Sequence, residues 1–175
     1  MDQTSKSDFL SLIKGKYDFR PIPDEGGLFH QTYISEDSVN ETKLRGPIDE
    51  ERSINSTGYF LLEDSPDCFS ALHKLKSDET YHFYQGDPIE LLMLHPDGTA
   101  ETVTLGMDIR AGHSLQYTVK AGDWQGSHLV QGGKYALLAV SMSPGFHPAD
   151  FELGNRQKLT ASYPAFTDLI FQLTR

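Results

Sequence analysis

A single cysteine, Cys68, is all the thiol chemistry in these 175 residues. No disulfide can close within the chain, and a reducing compartment is the expected setting. No apolar run approaches the roughly 20 residues that a membrane span needs. The opening stretch MDQTSKSDFLSLIKG lacks the long apolar core of a signal peptide. A cytoplasmic protein is the expectation. Cationic clusters are missing as well: the formal net charge is −10, and no stretch concentrates Lys or Arg. Nucleic acid and anionic membranes are bound through such clusters, so neither is an expected partner. Nucleophile elbow, phosphate loop and dinucleotide fingerprint are all lacking, which leaves hydrolase, kinase and dehydrogenase readings without support.

What is present suits a globular chain, with 38% hydrophobic and 23% charged residues. The length fits one domain spanning residues 1–175, large enough to bury a real core. Ser7 and Asp8 can cap a short helix carrying Phe9, Leu12 and Ile13 on one face. Pro21, Pro23 and the Gly26–Gly27 pair end it. From there to Met142 the pattern is short strands and turns. The expected strands are 28–34, 58–62, 68–75, 80–85, 89–95, 101–105, 115–119, 125–130 and 135–141. Asp97–Gly98 supplies the tight turn of the clearest hairpin. Many short strands at regular spacing predict a sandwich or barrel, with its core over about 28–142. The polar stretch TKLRGPIDEERSINS, residues 42–56, reads as a mobile surface loop. At the end, Pro164 opens a second helix with Phe166, Leu169, Ile170 and Leu173 as an apolar stripe that packs on the sandwich.

Two stretches carry a resemblance. ETYHFYQG, Glu79–Gly86, with His73 upstream, and VKAGDWQGSHL downstream are similar to the two sequence motifs of the cupin superfamily, the small jelly-roll barrels. In the first motif His73 stands at the first His, Leu75 at the second, Glu79 at the Glu and Gly86 at the Gly. In the second, Lys120 stands at the Pro, Gly122 at the Gly and Gln125 at the final His. Taken with EGGLFHQTY, STGYFLLE and SPGFHPADFELG, the order of blocks resembles the cupin-5 family over nearly the whole chain. The resemblance implies an all-β fold, a cupin double-stranded β-helix or jelly-roll barrel with short N- and C-terminal helices. It also implies a homodimer, a pocket in the barrel mouth, and kinship in shape with the metal-free dTDP-sugar epimerases.

The departures from the motif bear on metal. A metal cupin holds its ion with three His and one Glu. Here Leu75 has no donor, and the neutral amide of Gln125 is a poor transition-metal ligand. No metal and no cofactor are therefore expected. Strand alternation puts Ala71, His73 and Leu75 on one face, and Glu79, Tyr81 and Phe83 on one face of the next strand. If the motif's inward side is correct, His73, Glu79 and Gln125 meet in a partly apolar cavity. A carboxylate and an imidazole at low dielectric have movable pKa values, which suits proton transfer.

The expected function is a barrel pocket for a small polar, sugar-like or carboxylated metabolite, with isomerase- or epimerase-type acid–base chemistry. His73 is the candidate base with Glu79 orienting it, and Tyr81 or Gln125 holds the substrate. A non-catalytic binding protein and a metal enzyme with a reduced ligand set are the alternatives. His30, Thr32, His82 and Trp124 join Gln125 as candidate substrate-binding residues, although His82 has the opposite parity to Glu79 and needs a bulge to face inward. Each signal has a plainer reading. His73 and Glu79 can be a buried pair that only positions strands, and Trp124 a core aromatic. His95, His113 and His128 read as solvated turn residues, His147 as a loop residue at a pocket or dimer edge. Cys68 reads as a small buried hydrophobe, and Asp150 and Glu152 as braces of a turn.

Overall fold

Gly98 adopts a left-handed φ of 89°, and its amide bonds back to the His95 carbonyl. The hairpin it closes pairs Ile89 with Leu105 and Leu94 with Ala100, the register that the Asp97–Gly98 turn predicts. The remaining architecture, in a computed structural model that describes residues 3–39 and 51–175, is built from similar short antiparallel pairs. In chain order the first half comprises α1 (Gln3–Lys16), β1 (Arg20–Pro21), β2 (Leu28–Ile34), β3 (Ser38–Val39), β4 (Arg52–Ser53), β5 (Ser56–Glu63), β6 (Ser70–Lys74) and β7 (Glu79–Gly86). There follow β8 (Ile89–Leu94), β9 (Ala100–Leu105), β10 (Gln116–Val119), β11 (Trp124–Leu129), β12 (Tyr135–Met142), β13 (Glu152–Leu153), α2 (Arg156–Ser162) and α3 (Thr167–Gln172).

Two sheets form the sandwich. One has the order β1-β2-β5-β12-β7-β10 and the other β13-β6-β11-β8-β9, with β3 and β4 as a separate two-stranded ribbon. This is the jelly roll that the motifs imply. All nine expected strands are present, with ends shifted by no more than two residues.

Alternation sets the core. Phe60, Leu62, Tyr81, Phe83, Leu91 and Met93 point between the sheets and are almost fully buried. Each such side chain contributes about 2 kcal/mol by leaving water. The opposite side of the five-stranded sheet presents Leu72, Leu92 and Leu94 to Leu159, Tyr163, Ile170 and Leu173. The C-terminal apolar stripe thus packs where the sequence pattern places it. The helix itself is divided, however. Pro164 starts a three-residue 3-10 turn, and α3 begins only at Thr167.

Two other expectations need correction. The first helix starts at Gln3, so Ser7 and Asp8 lie inside it and do not cap it. Within it Phe9 stacks on Tyr135 and Ile13 is buried, while Leu12 is 71% exposed. A helix lying on a flat sheet buries a narrow stripe, and positions 9 and 13 fill it. Of the stretch read as a surface loop, residues 42–50 lie outside the described residues, whereas Arg52 and Ser53 form β4 and Arg52 is buried. Among the described residues no helix is long and apolar enough to cross a membrane.

Candidate active site

Between the sheets, near the β2, β5 and β6 ends, lies a cavity of about 130 Å³. Its walls are mostly apolar, with Phe29, Phe60, Phe146 and Phe151 prominent, and its polar floor is made by Glu25, His73, Glu79 and Tyr81. His73 comes from β6, Glu79 and Tyr81 from β7, so two strands of opposite sheets meet across it.

The floor is a fixed network. The His73 Nδ1–H donates to the Ala71 carbonyl at 2.8 Å, which leaves Nε2 as the accepting nitrogen. Gln125, only 1% exposed, directs its amide nitrogen at His73 Nε2 (3.2 Å) and at Glu79 Oε2 (2.7 Å). Tyr81 Oη–H also donates to Glu79 Oε2, at 3.1 Å. Both hydrogen bonds to Glu79 therefore end on one oxygen, and Oε1 is left to the cavity. His73 and Glu79 approach no closer than 4.0 Å. Gln125 lies between Glu79 and His73 and bonds to both. Tyr81 is likewise engaged by Glu79. Phe151 stacks on the imidazole, with centroids 5.2 Å apart and planes 19° from parallel.

Burial dominates the electrostatics. Removal from water raises the Glu79 carboxyl to about 7; His73, Tyr81 and Gln125 pull it down while the charge of Glu25 pushes it up. Burial, with Glu79 next, holds the Tyr81 phenol well above its usual range, so it stays a donor.

Glu25 is a site residue that the sequence reading missed. It sits on the turn between β1 and β2, where Asp24 takes φ 64° and Gly26 and Gly27 take 94° and 70°. A side chain on Gly26 would collide with the Phe69 carbonyl. Arg175 steadies this turn by donating to the Asp24, Glu25 and Asp67 carbonyls. Ser70 Oγ–H donates to Glu25 Oε1 at 2.9 Å, and that oxygen lies 4.0 Å from His73 Nδ1. The signal was the EGG of the first family block.

The remaining candidates fall outside the cavity. Trp124 neighbours Gln125 in β11 and so points to the other face, into the packing under α2 and α3, with Lys74 Nζ 4.5 Å from its ring. His82 faces outward and bonds Ser141 Oγ; the bulge in β7 falls at Tyr84, beyond it. His30 packs among Tyr17, Phe19 and Tyr59 beside α1, and Thr32 is exposed, bonded to the Thr57 carbonyl. His95 is not a free turn residue: it bonds Asp123 at 3.0 Å. His128 faces Glu90 at 3.5 Å, and His113 accepts from the Asp108 amide. His147 caps a 3-10 turn, Cys68 borders the core half-buried, and Glu152 pairs with Lys74 at the surface. Asp150 does more than brace a turn. It is bidentate to Arg52, with both bonds at 2.8 Å and the two side chains 8% and 3% exposed.

The floor does not fit a transition metal. Leu75 lines the cavity without a donor. The amide nitrogen of Gln125, which cannot ligate, occupies the space between His73 Nε2 and Glu79 Oε2. Among the described residues no three His, Cys, Asp or Glu side chains are grouped to hold an ion.

Two antiparallel sheets enclosing a pocket, with an imidazole, a carboxyl and an amide at the motif positions of β6, β7 and β11, define a cupin. The family model described as Cupin superfamily (DUF985) matches residues 11–154, and the chain belongs to that family. A hypothetical protein from Leishmania major superposes with a TM-score of 0.79 at 29% identity, covering 93% of this chain and 96% of that one. A protein of Shewanella oneidensis gives 0.78 at 31% identity, covering 96% of each chain. A cupin 2 domain-containing protein from Halorhodospira halophila shares the fold alone, with 0.52 at 10% identity over 86% of this chain and 83% of its own. No curated protein matches the sequence.

Proposed function

We propose that the cavity is a metal-independent small-molecule site in which Glu79 exchanges a proton with the bound molecule, the chemistry of an isomerase or epimerase acting beside a carbonyl. The supporting observation is the placement of Glu79: one oxygen is clamped by Tyr81 and Gln125, and the side chain lines a cavity whose walls are mostly apolar. A carboxyl raised to about 7 divides its time between acid and base near neutral pH, which general acid–base work requires. His73, fixed by Ala71 and Gln125, shapes the floor beside it and stacks against Phe151.

The test uses small ketones such as butanone and dihydroxyacetone as probes, in D2O at neutral pH, followed by proton NMR. Wild-type protein is expected to wash deuterium into the position beside the carbonyl. Glu79→Gln should slow this on the order of a hundredfold. Binding detected by a rise in melting temperature, with no exchange, would favour the non-catalytic binding protein instead.

A further inference from the structure

The cavity has two carboxyls and no cation. Glu25 and Glu79 lie on opposite edges of the His73 ring, each with an oxygen 4.0 Å from one of its nitrogens. No Lys or Arg lines the cavity among the described residues. The nearby buried guanidinium of Arg52 is neutralised by Asp150. In surroundings of low dielectric, two acidic groups that share one imidazole and no Lys or Arg disfavour an anion and favour a positive charge. The walls add to this: Phe29, Phe60, Phe146 and Phe151 present aromatic surface, whose faces attract cations while their area suits a hydrocarbon body. The whole chain, at −10, draws cations toward it at long range.

We infer that the ligand is a small organic cation, an amine with a short apolar body, whose ammonium group sits on the acidic floor that Glu25 and Glu79 form beside His73 and whose body packs against the phenylalanines. This rests on the reading of the cavity as a ligand site and narrows it. A carboxylate, phosphate or sugar-phosphate is disfavoured by the same charges. A volume of about 130 Å³ limits the body to a handful of carbon atoms.

Three probes of matched shape test it by titration calorimetry at about pH 8: butylammonium, 1-butanol and butyrate. Butylammonium is expected to bind at least tenfold more tightly than butanol, with butyrate not measurable. Glu25→Gln and Glu79→Gln should each reduce the amine's advantage over butanol severalfold. Butyrate binding as well as the amine overturns the inference, as does an advantage that survives in both variants. Butanol binding without preference for the amine removes the inference but keeps the ligand site. Silence from all three removes both.

Discussion

Gln125 reaches Glu79 across the interior: its amide nitrogen lies 2.7 Å from Glu79 Oε2, a strand from one sheet touching a strand from the other. Both side chains are buried. The other end of the same amide, Oε1, is buried and has no hydrogen-bond partner among the described residues. Four measurable consequences follow from this network and its surroundings.

Glu79 makes stability fall as pH rises. Its folded pKa, about 7, lies above its ordinary 4.5, so between those values the folded protein holds a proton that the unfolded chain has lost. The stabilisation is complete below the unfolded value and is lost as pH rises through the folded one. The difference is on the order of 3 kcal/mol. Glu79→Gln is expected to remove this slope. Its melting temperature should exceed wild type by several degrees at pH 8 and match it near pH 4.5, as calorimetric scans across that range will show.

Gln125→Met removes a donor from a buried carboxylate, and the loss matters most when Glu79 is ionised. Urea unfolding should show a cost of about 2 kcal/mol at pH 8 that shrinks at pH 5. The carboxyl itself should titrate at a higher pH than in wild type, visible in its carbon-13 shift. An equal cost at both pH values would mean that Gln125 only fills space.

Arg52 and Asp150 form an ion pair away from water, and removing Arg52 leaves Asp150 with the more distant, exposed Lys76 at 3.6 Å. Arg52→Met is expected to lose about 3–5 kcal/mol, and pairing it with Asp150→Leu should recover most of that. Arg52 holds the Asp150 carboxyl below its ordinary value. Its contribution is therefore present above the usual carboxylate range and is lost as pH falls through the lowered value. A double variant no more stable than Arg52→Met in denaturant titrations would contradict this account.

Metal should change little. With Leu75 donorless and Gln125 between the two donors, zinc or manganese at 100 µM is expected to leave the melting temperature unchanged, as is prior dialysis against chelator. A rise that disappears in His73→Ala would show the ion to be a ligand of the site after all.

The sandwich was legible because alternation and turn chemistry are local. Asp97–Gly98 dictates its hairpin, and Glu79, Tyr81 and Phe83 share the inner face as period two requires. The same rule excludes Trp124 from the cavity once Gln125 is placed inward, and it turns His82 outward. What escaped notice depends on distant contacts. Glu25 belongs to no periodic segment; a run of left-handed residues and Arg175 from the far end of the chain hold it in position. The two-residue strands β1, β3, β4 and β13 are too short to show a period. The helix α2 has one buried apolar residue, Leu159, and its clearest sequence mark is the capping Asn155, whose side chain accepts from the Lys158 amide.

Asp150 and Phe151 are consecutive residues with different attachments, one gripped by Arg52 and the other lying on the His73 ring. Just before them the Gly145 and Phe146 amides bond to Ser53 and Ser56, and just after them β13 pairs with β6. The chain over the phenylalanine side of the cavity is thus bolted down at both ends and in the middle. It behaves as masonry, not as a gate: a molecule that enters by that wall must first break an ion pair hidden from water. Any path that leaves these bolts in place spares that cost.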